Sequence, residues 1–243
     1  MKNLFIRILK SSKLFEVLMI FVGITLSMQF NNWNEDRKQK KREMDLLSSI
    51  YLDITASILE VKQNVEDFDS YFISPMNLLD SCLHCKRLDD FDRYSEKLWI
   101  PTGCIFLNMN NGAYECFKYE GSTLIKNNYL KIKLFDYYES RLNWINVQER
   151  MLQQYADLFV IPVSHEYLRV ENKMPKETFL NLRKDKKSRK ILKQWKYSYK
   201  ELQQLHRDLI PLLVDIKKVI EDEFLVSGID PKQILKEAKS TIS

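Results

Sequence analysis

The side chains able to do chemistry are few. Cys82-Leu83-His84-Cys85 puts two thiols and an imidazole within four positions, and Cys104 and Cys116 follow further along. A Cys-x-x-Cys pair resembles half of a tetrahedral zinc site, which Cys104 and Cys116 would complete. The same pair outside the cytoplasm forms a structural or redox disulfide. A third reading is separate buried or surface thiols. All three are open at this level, with Cys82, His84, Cys85 and Cys116 as the metal candidates. His165-Glu166 follows a Pro162 turn and has no nucleophile beside it, so it reads as a surface loop. His206 lies on an apolar helical seam and reads as a core histidine, satisfied or half exposed. The three histidines make no H-E-x-x-H, and there is no G-x-S-x-G. The five glycines are too scattered for a G-x-G-x-x-G or P-loop phosphate cradle. No catalytic constellation assembles, and neither a cofactor nor an enzymatic activity is expected.

Two basic runs stand out against a modest formal charge of +5. Arg37, Lys38, Lys40, Lys41 and Arg42 follow an apolar stretch closely, where each cation near anionic lipid contributes about 1 kcal/mol. Arg183, Lys184, Lys186, Lys187, Arg189 and Lys190 surround Asp185. A nucleic-acid surface would add groove-reading or stacking residues to such a run. The second run reads instead as a solvated helix start, and nucleic acid is not an expected partner.

The element that positions everything else is at the N-terminus. Leu14 to Phe30 reads LFEVLMIFVGITLSMQF, about 17 residues with one charge, and about 20 when extended to Trp33, roughly a bilayer core at ~1.5 Å per residue. Lys2, Arg7, Lys10 and Lys13 precede it, and Trp33 sits where an interfacial aromatic belongs. No small-x-small cleavage site follows, which disfavours a signal peptide. A buried soluble helix would be bounded differently. The expected organisation is therefore a short basic tail over 1–13, a transmembrane helix over 14–33 and a helical bundle over 34–243. The tail should stay in the cytoplasm and the bundle cross, since long domains translocate largely regardless of charge. Glu16, Ile20, Gly23, Ser27 and Phe30 share one helical stripe, and Gly23-x-x-x-Ser27 permits close backbone approach. With Gln29 and Trp33 this predicts a membrane or oligomer face. The partners are lipid and, through the span, a second copy or another membrane protein.

Beyond the span, Met44, Leu47, Tyr51, Ile54, Ile58, Val61, Val65, Phe68 and Phe72 recur every three or four residues, a heptad-like seam. One helix is predicted from the membrane to about residue 72. Ser74-Pro75 should cap a short one. Residues 80–111 form an irregular, Cys-containing insertion, with a short helix around 89–98 and at most a strand pair near 104–108. Asn111 should cap a helix over 113–120, with Gly121 its left-handed stop. Asn127 or Asn128 should cap a long helix carrying Phe135, Tyr138, Leu142, Ile145, Leu152, Ala156 and Phe159, ending at Pro162. A last long helix through Leu192, Trp195, Tyr199, Leu202, Leu209, Leu213, Ile216 and Ile220 should kink at Pro211 and end near Gly228. A short helix from Pro231 closes the chain. The fold class is all-α, a transmembrane helix continuing into an antiparallel bundle of four-helix type.

FEVLMIFVGITLSMQFNNWNEDRK (residues 15–38) resembles the N-terminal hallmark of a family of uncharacterised bacterial single-span membrane proteins. That hallmark is a Glu before the span, a Gly within it, and an exit near Q-x-N-N-W-N-E. Here it falls on Glu16, Gly23, Ser27, Gln29, Asn31, Asn32, Trp33, Asn34 and Glu35. AYECFKYEGSTLIKNNYLKIKLFDYYE (residues 113–139) is similar to the family's acidic-aromatic helix, glycine stop and step into a helix ending in paired tyrosines. Departures are a shorter basic tail, Cys116 and Phe117 in the first helix, and a compressed segment after Gly121. The resemblance implies single-pass topology in a bacterial inner membrane and carries no activity, and the orientation argued from the basic tail makes the C-terminal domain periplasmic. The function expected is a membrane-anchored interaction or sensory module. Alternatives are a membrane-bound metal or redox protein using Cys82–Cys116, and a cytoplasm-facing tethered partner of a neighbouring protein.

Overall fold

A computed structural model describes residues 12–85, 91–109, 111–167 and 173–242. The tail cations Lys2, Arg7 and Lys10 lie outside them. The first element, α1 (Ser12–Asp67), changes character along its length. Val17, Phe21, Ile24 and Met28 are all exposed, and so are the polar positions between them and residue 42. Burial starts at Glu43 and Met44 and continues through Leu47, Tyr51, Ile54, Ile58 and Val61. The predicted seam is thus the packed face of α1, and the residues before it form a bare helical rod.

The helical path does not stop at Ser74. It widens into a π-helical turn, Phe68–Ile73, and continues as α2 (Ser74–His84). Ser74 keeps helical angles and its N–H bonds to the Asp69 carbonyl five residues back, so the expected Ser74-Pro75 cap is not formed. Pro75 explains the widening. A proline lacks the N–H, and its ring presses on the carbonyl four residues earlier, which a wider turn relieves.

A descending leg follows. It comprises α3 (Phe91–Ser95), an irregular stretch over 98–109, α4 (Gly112–Cys116), a π-helical turn over Phe117–Gly121, and α5 (Ser122–Leu124). Positions 89 and 90 of the expected short helix are outside the described residues. Asn111 occupies the N-cap of α4 without a side-chain bond. Helical backbone runs on through Gly121, so no left-handed stop forms there. No strand occurs among the described residues, including 104–108.

The third leg consists of α6 (Asn128–Phe135), a π-helical turn over Asp136–Arg141, α7 (Leu142–Tyr155), another over Ala156–Val160, and α8 (Ile161–Glu166). Asn127 caps it by accepting from Leu130 N–H at 3.0 Å. The leg passes Pro162 rather than ending there, by the device seen at Pro75: Ile161 N–H bonds to Ala156 O just before the proline. His165 and Glu166 are therefore the last turn of a helix and not a loop.

The short α9 (Lys176–Lys184) packs Phe179 on Phe91 at 5.0 Å. The longest packed element, α10 (Lys186–Val226), then descends and passes Pro211 without a break in helical structure. Its end is a Schellman motif: Ile229 N–H reaches Phe224 O and Gly228 N–H reaches Leu225 O, with Gly228 at φ 74°. The final helix is α11 (Pro231–Ile242).

Contacts fix the directions. Trp195 meets Pro101, Glu149 meets Leu107, Tyr114 meets Glu139, and Lys126 meets Glu43, so residues 98–126 run antiparallel to both α1 and the third leg. The chain is all-α, arranged up-down-up-down, with its second leg part irregular and part short helix. Leu47, Ile50, Ile54, Tyr137, Trp195, Tyr199 and Phe224 lie at the centre of one continuous core. Among the described residues, no helix is long and apolar enough to cross a membrane.

Candidate functional site

Three places hold the residues singled out by the sequence. The first is the rod. Glu16, Ile20, Gly23, Ser27, Gln29 and Trp33 are all exposed on α1, and a Cβ added at Gly23 would meet nothing within 4 Å. Thr25 Oγ1 donates to Phe21 O at 2.8 Å, so the hydroxyl is satisfied within the helix. At the end of the apolar stretch, Phe30 packs on Trp33 at 5.6 Å and Arg37 lies over the Trp33 ring at 5.9 Å. The basic run is partly committed to the protein itself. Lys38 pairs with Glu35 at 3.0 Å, and Lys40 pairs at 3.0 Å with Glu43, whose other oxygen accepts from Lys126 N–H. Lys41 and Arg42 are exposed.

The second place is the far end of the bundle, where α2 stops. Cys82 is half buried and Cys85 exposed, and all four cysteines are free thiols. Burial raises the Cys82 thiol, and Cys85 beside it adds to the effect. Both His84 nitrogens are engaged: Nδ1 is 2.8 Å from Asp80 O, and Nε2 is 3.2 Å from Arg189 Nη2. Arg183 donates to Cys85 O at 2.6 Å, closing the carbonyl end of α2. Cys116 is elsewhere. Its helix α4 packs at the level of Asp53, so at 1.5 Å per residue Cys116 is about 40 Å below Cys82. The Cys82, His84, Cys85, Cys116 zinc set is therefore not assembled, and no three metal-binding side chains group together among the described residues.

Cys104 belongs to the third place, the irregular stretch stitched into the bundle. Trp195 Nε1 donates to Pro101 O at 2.8 Å, Tyr199 Oη to Gly103 O, and Asn64 Nδ2 to Phe106 O at 3.5 Å. From the other side, Leu107 N–H donates to Glu149 at 2.9 Å and Asn108 N–H to Glu60 at 2.7 Å. A non-helical backbone inside a bundle must find partners for its N–H and C=O groups, and these five bonds supply them. Burial pushes the Cys104 thiol up to about 11, although a hydrogen bond with Tyr199 opposes this.

Glu149 and His206 meet beneath that stretch, both buried. His206 Nε2 is 3.4 Å from Glu149 Oε1, within ion-pair distance but off hydrogen-bond geometry, so both ring nitrogens lack a hydrogen-bond partner. The Phe68 ring stands edge-on to the imidazole at 5.1 Å. His206 is thus fully buried and not half exposed. Glu149 was hidden among polar residues, yet its position was legible. It completes the spacing Leu142, Ile145, Glu149, Leu152, Ala156, where a carboxylate must face the core.

Compared with family models, with curated proteins and with solved structures, the chain matches none. Its chemistry is carried by its own geometry: an exposed apolar rod, a bundle with a buried Glu–His pair, and a cysteine-bearing far end.

Proposed function

We propose that this chain is a membrane-anchored helical interaction or sensory module. The supporting observation is the rod. Phe15, Val17, Leu18, Phe21, Ile24, Leu26 and Met28 are exposed over more than half the circumference of α1, the other side carrying the Glu16, Gly23 and Ser27 stripe, and that same helix continues into the bundle core. An apolar face this wide calls for an apolar surrounding, and an uncovered patch of this extent is costly in water. Phe15–Phe30 rises ~24 Å at 1.5 Å per residue, shorter than a typical hydrocarbon core of ~30 Å. Leu14 extends it, and local thinning with snorkelling flanks accommodates the rest. Trp33 with Arg37 stacked on it suits the headgroup level.

In this reading the basic tail is cytoplasmic and the bundle lies across a bacterial inner membrane. The Gln29–Glu35 exit motif is the ground for kinship with the single-span family. The bare stripe Glu16, Ile20, Gly23, Ser27 and Phe30 faces a second span, since none of the described residues covers it. The rigid path from rod to bundle holds the far end at fixed height or passes a small displacement along it.

The test is extraction of membranes from producing cells with alkaline carbonate. The full chain should stay in the pellet, and Phe21→Asp with Ile24→Asp should release it. Both positions are exposed, so the bundle stays intact. Release of the unaltered chain by carbonate would overturn the anchor. Crosslinking that is unchanged in Gly23→Leu and in Glu16→Gln would leave the anchor without the pairing.

A further inference from the structure

A cleft of about 420 Å³ opens at the far end of the bundle, between the end of α2 and the start of α10. Its floor is apolar, with Met76, Leu79 and Leu83 from α2 and Leu192 from α10. Its wall is cationic. Lys186, Arg189, Lys190, Lys193 and Lys196 recur at three- and four-residue steps and so share one face of α10. Like charges at these spacings repel and weaken a helix. Among the described residues Asp80 is the sole carboxylate lining the cleft. It is already engaged by Lys196 at 2.9 Å and by His84 at 3.3 Å. Burial raises the Asp80 carboxyl, but Lys196, His84 and Lys193 together bring it below its ordinary value, so it is spoken for as an anion. Asp185 also turns away, with its oxygens taken by Lys187 N–H, Ser188 and the Tyr167 hydroxyl. Excess positive charge over an apolar floor is the complement of a ligand that is negative at one end and apolar at the other.

We infer that this cleft binds a small organic anion, an apolar body carrying a phosphate or carboxylate. Its volume is within the 300–1,000 Å³ range of small-molecule sites. The cationic face spans about ten residues, ~15 Å of helix, too short a track for a long polyanion. The membrane under the rod cannot supply the ligand directly. Along the continuous helix, Met76 is about 70 Å from Phe30 at 1.5 Å per residue.

The test uses the full chain in neutral phosphatidylcholine nanodiscs, titrated calorimetrically with 1-naphthyl phosphate. 1-Naphthol and inorganic phosphate test the apolar and anionic halves alone. One 1-naphthyl phosphate per chain should bind saturably, with both controls weaker by about tenfold or more. Affinity should fall as salt rises. Lys190→Gln with Lys193→Gln, both exposed, should weaken binding about tenfold and flatten the salt dependence without changing the helix signal. No saturable binding, 1-naphthol binding as tightly as its phosphate, or unchanged binding in the double variant would each overturn the assignment. The cleft is independent of the rod, so a chain released by carbonate would still give the same titration in buffer.

Discussion

Glu149 is the side chain on which most converges at the residue scale. Its carboxylate accepts from Leu107 N–H and faces the His206 ring. Removing one member of a buried polar set strands the other, which costs about 3 kcal/mol. Glu149→Ala should lower the urea midpoint accordingly at unchanged slope, whereas Glu149→Gln, which keeps an acceptor for Leu107, should lose about 1 kcal/mol. In Glu149→Leu with His206→Leu the two costs should be less than additive, because the stranded partner is gone. Equal losses for Ala and Gln would show that the carbonyl-type acceptor is irrelevant. The thiols give a second residue-level outcome. A reduced native chain treated with iodoacetamide at pH 8 should be modified first at the exposed Cys85 and Cys116 and then at Cys82. Cys104, pushed up to about 11 by burial, should react only on unfolding. Peptide mass spectrometry reads the order, and early labelling of Cys104 would contradict the stitched geometry around it.

Among the elements, α10 depends on its first turn. Asp185 accepts from Lys187 and Ser188 N–H and from the Ser188 hydroxyl, while Tyr167 donates to its second oxygen. The Ser188 bond, foremost, holds the Asp185 carboxyl below its ordinary value of 3.8. A depressed carboxyl stabilises the fold fully above that ordinary value, and the contribution disappears as pH falls through the lower, folded one. Asp185→Ala should therefore cost about 1 kcal/mol near neutral pH, and the gap to the unaltered chain should close in acid below pH ~4. A gap in melting temperature that stays constant from pH 7 to 3 would contradict the cap. Elements were legible in the sequence where one periodic face met one core. The seams from Met44 to Phe72 and from Leu192 to Ile220 each became a packed face, and Asn127 and Gly228 end their helices through bonds to neighbours in sequence. Three other signals misled because each is a local rule overruled by packing. Pro75 and Pro162 read as boundaries, yet a wider turn ahead of each lets the helix continue. Gly121 read as a stop, and helical backbone passes through it. The second leg had no period to find, since side chains remote in sequence hold it: Asn64, Glu149, Trp195 and Tyr199. The distal cleft was half visible for the same reason. Its cations repeat along α10, but nothing in the spacing brings Met76, Leu79 and Leu83 opposite them.

At the scale of the whole molecule, the described residues divide into a rod exposed from Phe15 to Arg42 and a bundle that buries one continuous core, joined by an unbroken helix. The division explains why one sequence carries apolar surface in two arrangements. From Phe15 to Phe30 the exposed apolar side chains spread over more than half of α1, residues 34–42 are polar, and from Met44 on the apolar side chains gather on one buried face. Another exposed apolar row, Trp144, Val147, Met151 and Leu158, lies on the third leg, where it occupies a single face among polar neighbours. Lipid immersion and surface display therefore make different demands, and labelling confined to the bilayer interior separates them. A lipid-phase carbene photolabel applied to the full chain in membranes, with modified peptides mapped by mass spectrometry, measures this most directly. The account predicts label on Phe15–Phe30 and none beyond Trp33. Absence of label from Phe15–Phe30, or label on Trp144 to Leu158 as strong as on the rod, would contradict it.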